Sequence, residues 1–357
     1  MATSPVQDVR FCTSADGTRI AYAVHGSGPP LVIDACWLSH LQYDWQSPVW
    51  RHYLVELGRF ATVIRFDERG HGLSDRDVTD FSPAVRLADL EAVVDHAGLD
   101  RFALLAMAQG GPISIEYAAS HPERVTRLML YGSYASALGN ATEEERELDA
   151  AFEALIRVGW ERPTPEFRRV FTYQMIPGAT EEQMSWLDEL QRQAVTADTA
   201  VVSRQQRQLA DAEPLLAGLE VPTLVLHSIG DRMNPFHEAR HLAASIDGAR
   251  LVALESDNHI LLEDEPAWPV WLREVEQFVL DDRVAVAAAD PGVETLSARE
   301  QEVLALAAEG LDNEAIAERL TLSLRTVERH LQNVYLKLGL QGKNARAAAV
   351  ARYLRAA

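Results

Sequence analysis

Residues 104–111 read Leu104-Leu105-Ala106-Met107-Ala108-Gln109-Gly110-Gly111. A strand from Arg101 to Ala106 enters a sharp turn of small residues, and a helix starts near Gly110 and Gly111. Small residues let the chain turn tightly between strand and helix, and the start of the new helix presents free N–H groups. The apex here is Ala108, a methyl group with no proton to give up.

The same kind of apolar strand recurs on both sides. Leu31 to Ile33, Ala61 to Phe66, Leu128 to Tyr131, Thr223 to His227 and Leu251 to Leu254 are short apolar runs. They alternate with helical patterns, as in a mostly parallel sheet buried on both faces. Between about 134 and 216 the strands stop, and a Glu-, Gln- and Arg-rich helical stretch carries Trp160, Phe167, Phe171, Tyr173, Met175, Met184 and Trp186. It reads as a helical cap over the sheet. Asp281 to Val293 has linker composition, and a compact helical segment follows. The expected organisation is an α/β domain over 1–281, a linker over 282–294 and an all-α domain over 295–357.

The net charge of −20 argues against nucleic acid, but the distribution of that charge points the other way. From residue 319 onward there are eight basic residues and one acidic residue, Glu328, and both lysines of the chain, Lys337 and Lys343, lie there. A basic tail on an acidic body predicts a module with its own polyanionic partner. Two cysteines without zinc spacing predict a reducing compartment, no metal and no disulfide framework. No apolar run reaches the length of a membrane span, and Met1 to Arg10 is not a signal peptide, so a cytoplasmic protein without membrane contact is expected.

Four stretches of the body resemble the α/β-hydrolase superfamily. Asp67-Glu68-Arg69-Gly70-His71-Gly72-Leu73-Ser74-Asp75 is similar to its Asp-x-Arg-Gly-x-Gly-x-Ser loop. Ala106 to Gly110 stands at the nucleophile elbow, ahead of a helix ending in His121-Pro122-Glu123-Arg124-Val125. Pro222 to His227 followed by Asp231 resembles the strand and loop of the triad acid, and Asp257-Asn258-His259 the histidine loop. The resemblance implies a doubly wound α/β fold with a helical cap, and a degenerate triad of Ala108, Asp231 and His259 in place of catalytic residues. The oxyanion region also departs from the family, with Asp34-Ala35 where His-Gly is common.

Loss of the serine removes the group that a triad activates. The implied alternative is a pocket that binds, with Asp34, Cys36, Trp37, Ala108, Gln109 and His259 as candidate ligand contacts and no cofactor. A neutral His259 oriented by Asp231 can hydrogen-bond a ligand. Trp37, His40, Tyr43 and Trp45 lie in the loop that usually opens onto this pocket, and each could equally belong to the core.

In the tail, Ser297 and Glu300 form a capping box ahead of an apolar stripe. Asp312 caps a second, short helix through Ile316 and Leu320, and Ser323 a third from Leu324 to Leu338. In the third, Val327, Leu331, Val334 and Leu338 share one face, and Arg325, Arg329 and Gln332 the opposite one. Residues 295–356 resemble the LuxR-type helix-turn-helix. That resemblance implies double-stranded DNA as partner, with Arg329 near bases and Thr326, His330, Asn333 and Lys337 near phosphates. In that family the last helix, here the Ala-rich Asn344 to Arg355, commonly forms the dimer contact, so the resemblance also implies a homodimer on a palindromic operator.

Three functions are consistent with this pairing. The leading one is a transcription regulator whose degenerate hydrolase-like domain binds a small-molecule effector. The others are a regulator that still turns over its effector through His259 and Asp231, and one whose body is only a dimerisation scaffold.

Overall fold

The structure is a computed structural model that describes residues 6–34, 37–137, 143–281, 296–308 and 311–338, with 345, 346, 349, 350 and 353. Contacts divide the chain into Met1–Asp281 and Asp282–Ala357.

The body is built on an eight-stranded sheet of order β1-β2-β4-β3-β5-β6-β7-β8. Its strands are β1 (Asp8–Thr13), β2 (Arg19–Gly26), β3 (Pro30–Asp34), β4 (Thr62–Phe66), β5 (Phe102–Met107), β6 (Val125–Tyr131), β7 (Thr223–Ser228) and β8 (Arg250–Leu254). β1 and β2 pair antiparallel at one edge, β2 pairs antiparallel with β4, and from β4 to β8 the neighbours pair parallel. The parallel strands are the runs picked out by sequence. The antiparallel pair adds two strands that the apolar-run pattern did not single out: β1 is largely exposed, and β2, though largely buried, mixes Ala21, Tyr22, Ala23 and His25 rather than forming an aliphatic run.

All six residues of β5 are buried, as a central strand covered on both faces requires. On one side Phe102, Leu104 and Ala106 join a core with α3 (Pro83–His96), α4 (Gly110–Ser120) and α9 (Phe236–Ser245). On the other, Tyr131 meets Trp271 at 5.6 Å, and Tyr53 packs on Trp268 and Trp271, joining α2 (Arg51–Leu57) to α10 (Ala267–Leu280). A one-turn α1 (Leu41–Asp44) precedes α2.

The helical insertion forms α5 (Glu143–Gly159), α6 (Glu166–Met175), α7 (Glu181–Ala194) and α8 (Ala197–Arg207). Its interior is aromatic: Trp160, Phe171 and Phe152 interlock at 5.0–5.7 Å, and Trp37 from the loop after β3 enters the cluster 5.7 Å from Trp160. β4 and β5 leave β3 in opposite directions along the sheet, so the C-terminal ends of β3 and β5 form the switch point where such sheets open a ligand crevice.

The C-terminal unit contains α11 (Ala298–Ala308), α12 (Asn313–Leu320) and α13 (Leu324–Lys337). Ser297 accepts from the Glu300 N–H at 3.3 Å while Glu300 accepts from the Ser297 N–H at 2.8 Å, closing the capping box. Asp312 accepts from the Ala315 N–H at 2.9 Å, and Ser323 from the Thr326 N–H at 3.2 Å. Val327, Leu331, Val334 and Leu338 are buried. Among the described residues no helix is long and apolar enough to cross a membrane.

Candidate functional site

Ala108 follows β5 with φ +49°, the left-handed region that non-glycine residues rarely adopt. Its backbone is clamped there. Its N–H donates to the Tyr131 carbonyl at 3.0 Å, and its carbonyl accepts from the Gly111 N–H at 3.1 Å and the Ser133 hydroxyl at 2.7 Å. A glycine at 111 is a spatial requirement, since a Cβ there would lie 1.7 Å from Ser133 Oγ. The elbow is therefore fully built, with a methyl group at its apex.

His259 and Asp231 meet beside it. His259 Nδ1 lies 2.6 Å from Asp231 Oδ2. Asp231 also accepts from the N–H groups of Met233 at 2.8 Å and Asn234 at 3.1 Å. Burial pushes its carboxyl up, but His259, His227 and the backbone donors outweigh it and hold the carboxyl below its usual value. An ionised Asp231 only accepts, so Nδ1 of His259 carries the proton and Nε2 is the ring's remaining polar atom. The histidine is fixed by its main chain too, its N–H donating to the Met175 carbonyl at 2.8 Å and its carbonyl accepting from the Tyr131 hydroxyl at 2.8 Å.

Above these residues lies a cavity of about 500 Å³ between sheet and cap, in the size range of small-molecule sites. Trp37, Ala108, Gln109 and His259 line it, together with Tyr134, Phe152, Met175, Arg204 and Arg207. Asp34 lies behind this wall. It is buried, accepts from the Ser114 hydroxyl at 3.0 Å, and is pushed up to about 7 by burial. Cys36 falls outside the described residues. His40, Tyr43 and Trp45 do not line the cavity; Tyr43 instead packs on Trp186 at 4.6 Å and Trp45 on His25 at 4.9 Å.

The Asp67–Asp75 loop serves mainly as scaffold. The Asp67 carboxylate accepts from the Leu41 N–H at 3.0 Å and the Leu73 N–H at 2.8 Å, and Arg69 forms a two-point pair with Asp89 at 2.7 Å. Glu68 is the exception. It turns inward to a buried cluster with Arg86 and Arg207, which sequence reasoning missed. Among the described residues no group of three or more ligating side chains could hold a metal ion.

In the C-terminal unit Arg325, Arg329 and Gln332 are exposed along one stripe of α13, beside Thr326, His330 and Asn333 on the adjacent stripe. Lys337 pairs with the buried Glu300 at 2.6 Å. Burial pushes the Glu300 carboxyl up, but Lys337 and the Ser297 donors hold it lower. Of the described residues of the last helix, Ala345 and Ala349 are buried, and Ala349 packs against Leu296, Leu304, Val334 and Leu338 of the same unit. Most of that helix lies outside the described residues.

The chain belongs to the α/β-hydrolase fold family, whose model matches residues 46–266. Its C-terminal segment, residues 294–350, matches the luxR family of bacterial regulatory proteins, so a LuxR-type DNA-binding domain is fused to a hydrolase-like body. Haloalkane dehalogenase 2 of Mycobacterium tuberculosis is 29% identical over 275 residues, covering 72% of this chain and 90% of that one. An esterase from Exiguobacterium antarcticum superposes with TM-score 0.64 at 22% identity, over 75% of this chain and 98% of its own. An enol-lactonase from Burkholderia xenovorans superposes with TM-score 0.60 at 20% identity, over 75% and 99% respectively.

Proposed function

We propose that this chain is a transcription regulator whose hydrolase-like body binds a small-molecule effector without hydrolysing it and thereby changes the affinity of its LuxR-type domain for DNA. The observation that carries this reading is the methyl of Ala108 at the apex of a complete elbow, at the floor of a cavity of about 500 Å³ beside an intact His259–Asp231 pair. A nucleophile is the one missing part of the triad. His259 Nε2 then acts as an acceptor for a ligand hydroxyl or N–H, and Ala108 leaves room beside it.

The DNA-binding face is the exposed side of α13, with Arg325, Arg329 and Gln332 toward base edges and Thr326, His330, Asn333 and Lys337 toward phosphates. The protein acts as a homodimer on a two-fold operator, in the cytoplasm. The effector works only through different affinities for two arrangements of that dimer.

The test is a thermal-shift screen of the full chain against acids, esters, amides and lactones, with each hit repeated in a DNA-binding assay on an operator selected from random sequence. A ligand at about 100 times its Kd adds about 2.7 kcal/mol of stability. A hit is expected to shift both assays, and Ala108→Phe, which fills the cavity floor, is expected to remove both shifts while leaving ligand-free operator binding. Hits that stabilise the protein without changing DNA affinity would overturn the regulatory link.

A further inference from the structure

One end of the cavity holds ionic groups that hydrolase chemistry does not use. Glu68, from the turn after β4, accepts from Arg86 Nη2 of α3 at 3.0 Å and from Arg207 Nη2 at the end of α8. All three side chains are more than nine-tenths buried. Burial pushes Glu68 up, but the two guanidinium groups overcome it and hold the carboxyl at about 2. Two buried cations thus share one carboxylate.

The surrounding groups leave that imbalance standing. Asp34, the nearby acid, has its carboxyl pushed up to about 7 by burial, so at neutral pH it is about half ionised and offsets the imbalance only in part. Asp149 pairs with Arg204 and accepts from Gln208, and Glu153 is held by Arg157 and Gln205. Glu238 and Arg232, which also line the cavity, carry opposite charges. Arg86 Nη1 and Arg207 Nε are buried donors without a partner, which is costly for a cation.

Arg207 is also the member of the cluster that reaches the cavity, beside Gln109, whose Nε2 lies 3.5 Å from Glu68 Oε1. Its guanidinium stands over the Trp37 ring at 5.8 Å, and Arg204 stands over the same ring at 5.8 Å. A guanidinium held over a ring presents its in-plane N–H groups to acceptors at its edge, and in Arg207 one of these nitrogens, Nη2, is shared with Glu68.

We infer that the effector is an organic monoanion, a carboxylate docked on the in-plane edge of Arg207 next to Gln109, with its apolar body along Trp37 toward Ala108 and His259. A single negative charge matches the single excess cation, whereas a phosphate dianion would overcompensate and face Glu68. This inference rests on the effector-binding reading above.

Matched pairs of small carboxylic acids and their primary amides, such as 4-phenylbutanoate and 4-phenylbutanamide, separate the charge from the shape of the ligand. Calorimetric titration of the full chain is expected to show the best acid binding at least about tenfold tighter than its amide. Arg207→Gln is expected to abolish that preference while amide affinity stays. Where Arg207→Gln does not fold, Arg207→Lys carries the test: it keeps the charge and loses the fork, and acid affinity is expected to fall about tenfold with the amide unchanged. Amides binding as tightly as acids, or a preference that survives in a folded Arg207 variant, overturns the inference and leaves effector binding intact. Binding of neither acids, amides nor esters overturns both.

Discussion

Replacing Ala108 by Ser tests whether the elbow is a complete active site lacking one oxygen. Serine carries the same left-handed strain as the alanine it replaces, and the clamps from Tyr131, Gly111 and Ser133 act on the main chain, so the fold should be indifferent to the change. In a well-studied serine protease, losing the nucleophile costs about 2 × 10⁶ in turnover, or about 8.6 kcal/mol. Here the His259–Asp231 pair is already formed at 2.6 Å. The oxyanion region departs from the family in sequence, with Asp34-Ala35 where His-Gly is common, and loss of one oxyanion donor costs about 10²–10³. The two factors together predict a gain of about 10³–10⁴ over wild type in hydrolysis of p-nitrophenyl acetate. Initial rates of the full-length wild type, Ala108→Ser and Ala108→Ser/His259→Ala proteins give the answer. A folded Ala108→Ser protein with less than about a tenfold gain, or a gain that survives removal of His259, would falsify the reasoning.

Three further outcomes follow from the geometry. His25, His52 and His71 are buried with pKa values lowered to about 4 by burial, while burial raises Asp34 and Asp44 to about 7. The histidines contribute stability that is present above about pH 6.5 and lost as pH falls toward 4; the aspartates contribute in the opposite sense, losing stability as pH rises from about 3.8 to 7. Removing one of these histidines, as in His25→Gln, should therefore flatten the fall of stability on acidification by about 1 kcal/mol between about pH 6 and 5 in urea denaturation, and an unchanged pH dependence contradicts this assignment. Gly111→Ala forces a Cβ to within 1.7 Å of Ser133 Oγ, predicting a loss of about 1–3 kcal/mol that Ser133→Ala partly restores; additive single effects would show that the clash is relieved elsewhere. Arg329→Ala should cost about 1–3 kcal/mol at the operator and relax preference at one base position, and unchanged affinity at matched salt removes Arg329 from the base-reading set.

What is legible in the sequence is what depends on local pattern. The six parallel strands, the turn at Ala108, the Asp231 and His259 loops and the three capped helices all announce themselves within about ten residues of chain. The Glu68–Arg86–Arg207 cluster does not, since Glu68 and Arg207 are 139 residues apart. Glu68 sits in a loop that reads as scaffold, and Arg207 closes a polar helix, Ala197–Arg207, whose charges resemble a solvated surface until the cap folds it over the sheet. Asp34 ends β3 at the switch point, a position that reads as a ligand contact, but the alternation of a strand sends its side chain to Ser114 of α4 instead.

The orientation of the ligand ties the missing oxygen to the extra cation. A carboxylate is what remains after an ester or lactone is opened, so an effector of that class offers the elbow nothing to cleave. Its charged end lies at Arg207, and only its apolar body approaches Ala108. Ala108→Ser should then leave acid affinity within about a factor of two, because the added hydroxyl meets no charged atom of the ligand, even as esters become substrates. If the carboxylate instead rested at the elbow, on the N-terminus of α4, the serine oxygen would intrude on it and affinity would fall by at least about tenfold. Titration of Ala108→Ser with the best acid therefore decides which end of the cavity takes the charge. A large loss there, with Arg207→Gln silent, would move the anion site from the cap to the elbow.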